Sequence, residues 1–405
     1  MTNCLICNTK IKPFANFGKM PIANGFLSKS QFKNELFFEL EVGFCPNCYM
    51  IQLINLLERE TMFNENYAYY SSISTRMANH FKNFAIEIMT ENLKDEQSFV
   101  VELGCNDGIM LQHFANKGYH HLGIEPSSNV ADAARKKGLN VIGTFFEEAI
   151  AKDICKEHGK ADVIVGANVM CHIPYLHSVI KGVKYLLKPT GVLIFEDPYV
   201  GDIIEKTSYD QIYDEHAYYF SLLSLNTLFN QYDMEIINTS YQNVHGGSMR
   251  YTVAHKNVYI IQSSVINQKQ KEDELKLNKY NTYKNFFIKV CKSRDNLLIL
   301  LQSLKRNNKR IVGYGATSKS TTVTNFCEIT PDLIEFISDT TPTKQGKYSP
   351  GVHIPIKPYE IFKSHFPDYA LLFAWNHGEE IIEKETAFKA SGGKFILYVP
   401  DVKII

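Results

Sequence analysis

Glu102-Leu103-Gly104-Cys105-Asn106-Asp107-Gly108 follows the apolar run Phe99-Val100-Val101 and opens the segment from Gly108 to Lys117. The run reads as a buried strand and the segment after it as a helix, with glycines at 104 and 108 that let the backbone approach a ligand closely. A dinucleotide fold would carry G-x-G-x-x-G, whose amides surround a pyrophosphate. That spacing is absent. An acidic turn instead suits the zwitterionic amino-acid end of S-adenosylmethionine. Glu102 or Asp107 answers the ammonium group, directly or through water, and Gly104, Asn106 and Gly108 shape the turn. Glu125 ends the next strand, 23 residues after Glu102, where a carboxylate accepts both ribose hydroxyls.

Outward from this turn, strands and helices alternate. Leu122 to Glu125, Val141-Ile142, Asp162 to Val165 and Gly191 to Glu196 read as strands, with helices over Asn129 to Lys137 and near Tyr175 to Leu187. Short buried strands alternating with amphipathic helices indicate an α/β, Rossmann-like, doubly wound parallel sheet. Residues 218–260 hold further strand and helix segments that complete it. Arg76, Met77, His80, Phe81, Phe84, Ile88 and Met89 follow helical spacing and predict a helical entry segment. Residues 265–308 predict one long helix with a lysine-rich face. A second, smaller α/β pattern begins at 310, with strands over Arg310 to Tyr314, Leu333 to Asp339, Tyr369 to Trp375 and Lys394 to Val399. The expected units are a zinc-binding module (1–60), a methyltransferase unit with its helical entry (61–262) and a C-terminal α/β unit (263–405).

Composition sets the limits. Lys plus Arg and Asp plus Glu each number 43 in 405 residues, a formal net charge of zero. No global basic field exists to gather nucleic acid or an anionic membrane. No apolar run of about 18 residues predicts a membrane span. The start shows no signal peptide, so the cytoplasm is expected.

Four of the nine cysteines stand as Cys4-x-x-Cys7 and Cys45-x-x-Cys48, with 37 residues between the pairs. Two residues between cysteines let both thiolates reach one ion, and four sulfurs close the tetrahedral shell of zinc. A structural zinc is expected. Apolar residues in this module look too few for an independent core, so metal ligation should replace one.

The densest chemistry lies in Tyr209-Asp210-Gln211-Ile212-Tyr213-Asp214-Glu215-His216. Two phenols, three carboxylic acids and an imidazole follow the fifth strand and its loop Glu196-Asp197-Pro198-Tyr199. Imidazole is the side chain best poised to take a proton near neutral pH, and a phenol can donate to a developing oxyanion. Asn168 and His172 follow the fourth strand at the sheet edge where ligands sit. Phe145 and Phe146 follow the third strand and either flank an adenine or serve the core. His245-Gly246-Gly247 either approaches a ligand or makes a tight turn. Gly313-Tyr314-Gly315-Ala316-Thr317-Ser318-Lys319-Ser320 lacks Walker spacing, but its amides, hydroxyls and Lys319 suit a diphosphate at a helix start. Asp339 and Lys344 follow the next strand.

Together these motifs resemble a bacterial family of three-domain sugar-nucleotide C-methyltransferases. The resemblance spans essentially the whole chain: CxxC…CxxC, ELGCNDG at 102–108, CHIP at 171–174, FEDPY at 195–199, YDQIYDEH at 209–216, HGGSMRY at 245–251, GYGATSKS at 313–320, KQG…PG at 344–351 and AWN at 374–376. Thr317-Ser318 departs from relatives that carry a small apolar residue there. The resemblance implies S-adenosylmethionine as donor, a nucleotide-linked 4-keto-6-deoxysugar as acceptor, and a C-terminal unit that clamps the nucleotide. It implies His216, Glu215, Tyr213, His172 and Tyr67 as catalytic residues, with Tyr69 or Tyr70 able to take the part of Tyr67. Tyr199, His245, Arg250, Thr317, Lys319, Asp339 and Lys344 are the expected substrate contacts. A monomer or homodimer is expected. O- or N-methyl transfer, a zinc-ribbon nucleic-acid binder and a silent nucleotide-sugar binder are the competing readings.

Overall fold

The structure, a computed structural model, describes residues 2–65, 67, 70–71 and 75–405; Tyr69 lies outside them. The central sheet has seven strands. Four parallel pairings join Val141–Ile142, His120–Ile124, Phe99–Leu103, Ala161–Ala167 and Leu187–Pro198. Met234–Gln242 and Ser248–His255 extend the sheet antiparallel at one edge, as expected of residues 218–260. The central strands are apolar on both faces because helices cover both faces. Phe99–Leu103 is buried throughout.

The entry helix, Thr75–Glu91, presents Met77, Phe81, Phe84 and Ile88 to the sheet. The expected long helix is two, Ser263–Glu274 and Tyr280–Arg306. Lys276 between them adopts a left-handed backbone conformation, φ 55°, which stops a helix. The C-terminal sheet orders Ile356–Pro358, Ile337–Asp339, Ile311–Tyr314, Tyr369–Leu372 and Lys394–Leu397 in parallel, with Lys403–Ile404 antiparallel at its edge.

The N-terminal module corrects an expectation. It is not short of apolar side chains: Ile6, Ile11, Phe17, Met20, Leu40, Val42, Phe44, Met50, Ile51 and Leu53 are all buried. Its core is shared rather than independent. Phe14 and Phe44 meet Tyr283, and Phe17 meets Phe287, on helix Tyr280–Arg306. Its strands Lys12–Pro21, Phe37–Phe44 and Ile51–Leu53 are joined by a fourth, Tyr218–Tyr219, which follows the central strand Leu187–Pro198 in the chain. This last pairing fixes the chain two residues beyond His216.

Candidate active site

At the carboxyl ends of the central strands lies a cavity of about 260 Å³. Three groups of residues line it. Leu103, Gly104, Asn106, Glu125, Phe145, Phe146 and Asn168 come from the strand ends of the central sheet. His172, Gln211, Tyr213, Glu215 and His216 form the middle. His245, Thr317, Ser318, Lys319, Asn376 and His377 close the far end. The turn after Phe99–Leu103 is built by left-handed residues, Gly104 (φ 62°), Asn106 (φ 51°) and Gly108 (φ 79°). Glycine and asparagine bear that conformation most cheaply.

Acids gather at the strand-end side of the cavity. Glu125 accepts from the Ser127 and Asn106 amides at 2.9 and 3.0 Å. Glu102 is buried behind the turn with Oε2 unpartnered among the described residues. Burial, then the charges of Glu125 and Asp107, push its carboxyl well up. Asp107 is held by Lys137, whose Nζ donates to its carbonyl at 2.6 Å. Glu102, Asp107 and Gly108 stand behind the cavity wall, while Gly104, Asn106, Glu125, Phe145 and Asn168 face the cavity. A buried carboxyl with an open acceptor atom beneath a glycine turn fits a ligand that brings hydrogen-bond donors. Arg59, which sequence reasoning missed, sandwiches its guanidinium between Phe145 and Tyr175, 4.3 and 4.5 Å from the ring centres. No period marks a lone arginine at the edge of the zinc-binding module.

The octet 209–216 divides its acids among three parts of the chain. Asp210 turns to the C-terminal unit and accepts from Trp375 Nε1 and Tyr398 Oη at 2.6 and 2.7 Å. Asp214 turns to the N-terminal module and accepts from the Ala23 amide at 2.9 Å. Only Glu215 faces the cavity. Its Oε1 accepts from Asn24 Nδ2 at 2.6 Å, and its Oε2 from the Tyr67 hydroxyl at 3.4 Å. Burial and then Asp214 raise the Glu215 carboxyl to about 8. Asn24 is a second residue that sequence reasoning missed; it comes from 191 residues away.

His216 is 4% exposed. Its ring lies 4.1 Å from Tyr213 and 5.1 Å from His172, centre to centre. Burial and then His172 hold it well below the ordinary imidazole range, so it is neutral at pH 7. Its Nδ1 stands 2.7 Å from the Gln211 carbonyl. A carbonyl only accepts, so Nδ1 carries the hydrogen and Nε2 keeps the lone pair. His172, lowered to about 4 by burial, is also neutral, and its Nε2 has no partner among the described residues.

At the far end Lys319 is buried, 5.2 Å from the Trp375 ring centre, with Nζ donating to the His245 carbonyl at 3.3 Å. Thr317 caps helix Ser318–Phe326. His245 faces the cavity, and burial followed by Lys319 lowers it to about 3. Gly246-Gly247 makes a tight turn, with the Gly247 amide donating to the Val244 carbonyl at 2.8 Å.

Four expected substrate contacts are not in the cavity lining. Arg250 is an internal strut: it donates from Nε and Nη2 to Glu196 at 3.1 and 2.9 Å and from Nη1 to Glu87 at 2.6 Å, over the Phe84 ring. It sits mid-strand on a covered face, where a charge survives only when paired. Tyr199 is fully buried and turned toward Glu272. Asp339 folds its own loop, accepting from the Ala316 and Thr341 amides at 2.7 Å each. Lys344 stands behind the wall, donating to the Ala316 carbonyl at 2.8 Å.

In the N-terminal module the sulfurs of Cys4, Cys7, Cys45 and Cys48 lie within 4.8 Å of one another. Cys4–Cys48 and Cys7–Cys45 are 3.5 and 3.4 Å apart. These separations are too long for disulfides and near the edge of a tetrahedron with zinc–sulfur bonds of about 2.3 Å, roughly 3.8 Å. The four residues fit a structural zinc.

Comparison with known proteins agrees with this geometry. A family profile for a zinc binding domain matches residues 4–63, one described as "Methyltransferase domain" matches 77–239, and one described as "C-methyltransferase C-terminal domain" matches 243–400. A ubiquinone biosynthesis O-methyltransferase of Actinobacillus pleuropneumoniae is 33% identical over 24% of this chain and 44% of its own. C-methyltransferase NovU of Streptomyces niveus is 32% identical over 96% of this chain and 93% of its own. The chain belongs to the C-methyltransferase family. It is an S-adenosylmethionine-dependent methyltransferase with a zinc-binding N-terminal module. Among the described residues no helix of this C-methyltransferase is long and apolar enough to cross a membrane.

Proposed function

We propose that this C-methyltransferase adds a methyl group to C3 of a nucleotide-linked 4-keto-6-deoxysugar, in the cytoplasm. One observation carries the reading. A neutral imidazole with a free Nε2 lone pair, His216, shares a single cavity with the strand-end residues of the cofactor side. A saturated carbon is not a nucleophile until it loses a proton, so C-methylation needs such a base.

Bound S-adenosylmethionine supplies an electrophilic methyl group on sulfonium. Gly104, Asn106, Glu125 and Asn168 would hold it at the strand ends, Glu102 and Asp107 would back the turn from behind the wall, and Phe145 would flank the adenine. The 4-ketone acidifies C3–H, and His216 Nε2 takes that proton. Tyr213, His172 or Tyr67 donates to the enolate oxygen, and Glu215 orients the sugar. Thr317, Lys319 and His245 receive the nucleotide end, where a buried cation and a helix start favour phosphate. In this reading residues 1–60 brace the site, 61–262 hold the cofactor and base, and 263–405 clamp the nucleotide.

Product NMR tests the chemistry. A new methyl singlet on C3, without an attached heteroatom, supports the proposal. A methyl on oxygen or nitrogen, or on C5 at the other side of the ketone, overturns it.

The carboxyl at 215 sets a pH expectation. Raised to about 8, it keeps its proton at neutrality and loses it as pH rises through that value. His216 is lowered, so its protonation stops catalysis only below its ordinary range. The rate should be flat near pH 7 and fall on an alkaline limb near pH 8. Glu215→Gln, neutral at every pH, should keep activity within about tenfold at pH 7 and lose that limb. An unchanged limb in the variant would remove Glu215 from this role.

A further inference from the structure

The Gln211 side chain is assigned no role by the reaction described above, yet among the described residues it is the one fully buried amide on the cavity wall. Its side chain is 0% exposed, and among the described residues neither Oε1 nor Nε2 has a hydrogen-bond partner. A buried amide left unsatisfied costs about 1–3 kcal/mol, so such groups ordinarily find partners. The surroundings keep this one unpaired. Behind it stands Gly246, φ 89°. A Cβ there would lie 2.9 Å from Gln211 Nε2 and 2.6 Å from Trp375 Cη2. The glycine leaves the amide its place and offers it no bond.

We infer that the Gln211 side-chain amide is a specificity determinant that binds a hydroxyl of the acceptor sugar, at the carbon next to the one that is deprotonated. The inference rests on the acceptor class proposed above. A hydroxyl both donates and accepts, and a primary amide presents one acceptor and two donors, so the two groups pair reciprocally. A phosphate, which only accepts, would meet Oε1 with repulsion and has Lys319 nearby. Position follows from the chain. The Gln211 carbonyl holds His216 Nδ1 at 2.7 Å and its side-chain amide stands by Gly246, so the residue lies between the base and the far end of the cavity. Of the two neighbours of C3, C4 bears the ketone oxygen already given to phenol and imidazole donors. C2 bears the hydroxyl.

The test uses the full-length zinc-loaded enzyme with S-adenosylhomocysteine. Calorimetry measures binding of 4-keto-6-deoxyglucose and its 2-deoxy counterpart, each offered on dTDP, GDP, CDP and UDP. Steady-state methylation is followed with S-adenosylmethionine. The wild type should prefer the hydroxylated sugar by about tenfold or more, since a site built to pair a hydroxyl rejects the analogue that lacks it. Gln211→Leu should weaken the hydroxylated sugar about 10–100-fold, into the range of the deoxy sugar, through KM and not kcat, because the backbone bond to His216 survives. Gln211→Met, of similar length and without an amide, should show the same loss of preference if leucine disturbs folding. Unchanged affinity for S-adenosylhomocysteine confirms an intact cofactor side. A wild type without preference, or variants that keep it, overturns the role of Gln211 and leaves the acceptor class standing. A wild type that binds neither sugar on any nucleotide overturns the acceptor class, and the role of Gln211 with it.

Discussion

Replacing His216 with asparagine lowers turnover by about 10²–10⁴-fold, the usual contribution of a positioned general base, while affinity for S-adenosylhomocysteine stays within about twofold. Asparagine fills most of the imidazole's volume and lacks a basic lone pair. The ring is packed on Tyr213 and lies near His172 and Tyr219, so the variant opens only a small gap. The proposed cofactor contacts belong to the strand ends of the central sheet, which the substitution does not touch. Single-turnover kinetics with a 3-deuterated acceptor should show the loss in the proton-removal step. If hydrogen washout at C3 and methylation both run at full rate in His216→Asn, another group removes the proton.

Removing the zinc is the second large effect. Four thiolates close one tetrahedral shell, and such ligation is worth about 10–16 kcal/mol in isolated zinc-binding peptides. Chelation, or Cys48→Ser, should therefore unfold the module, seen as loss of hydrogen-exchange protection over Lys12–Pro21 and Phe37–Phe44. It should also abolish methylation, although no cysteine of the zinc site lines the cavity. The reason is topological. The Leu53 amide donates to the Ala217 carbonyl at 3.0 Å, and Ile51–Leu53 pairs with Tyr218–Tyr219, so the module grips the chain immediately after His216. Asn24 and the Ala23 amide grip Glu215 and Asp214 just before it. The Ile6 carbonyl, inside the first knuckle, lies 3.0 Å from His177 Nε2. A metal-free enzyme with full turnover would show that the module is an appendage and not a brace.

Much of the architecture was legible along the chain because its causes are local. Strand, glycine turn and acid at the next strand end are read within some 25 residues, and Phe99–Leu103, His120–Ile124 and Glu125 stand where that reading puts them. The two knuckles were legible because two intervening residues suffice to bring a pair of thiolates together. The cavity residues His172, Tyr213, Glu215 and His216 were legible from residue type and from their place after sheet strands. The split of one expected helix at Lys276 was not, since a left-handed lysine carries no sequence mark.

The sequence by itself determined the α/β plan, the glycine turn with its acids and the cysteine set, because each is written in spacing and residue type over a few turns of chain. Tertiary structure alone decided which acid of the octet faces the cavity, that Arg250 is an internal strut paired with Glu196, and that Asn24 and Arg59 belong to the site. In a tight segment such as 209–216 no helical or strand period says where a side chain points. A partner 191 residues distant is chosen only when the sheets pack and a buried carboxyl must find a donor.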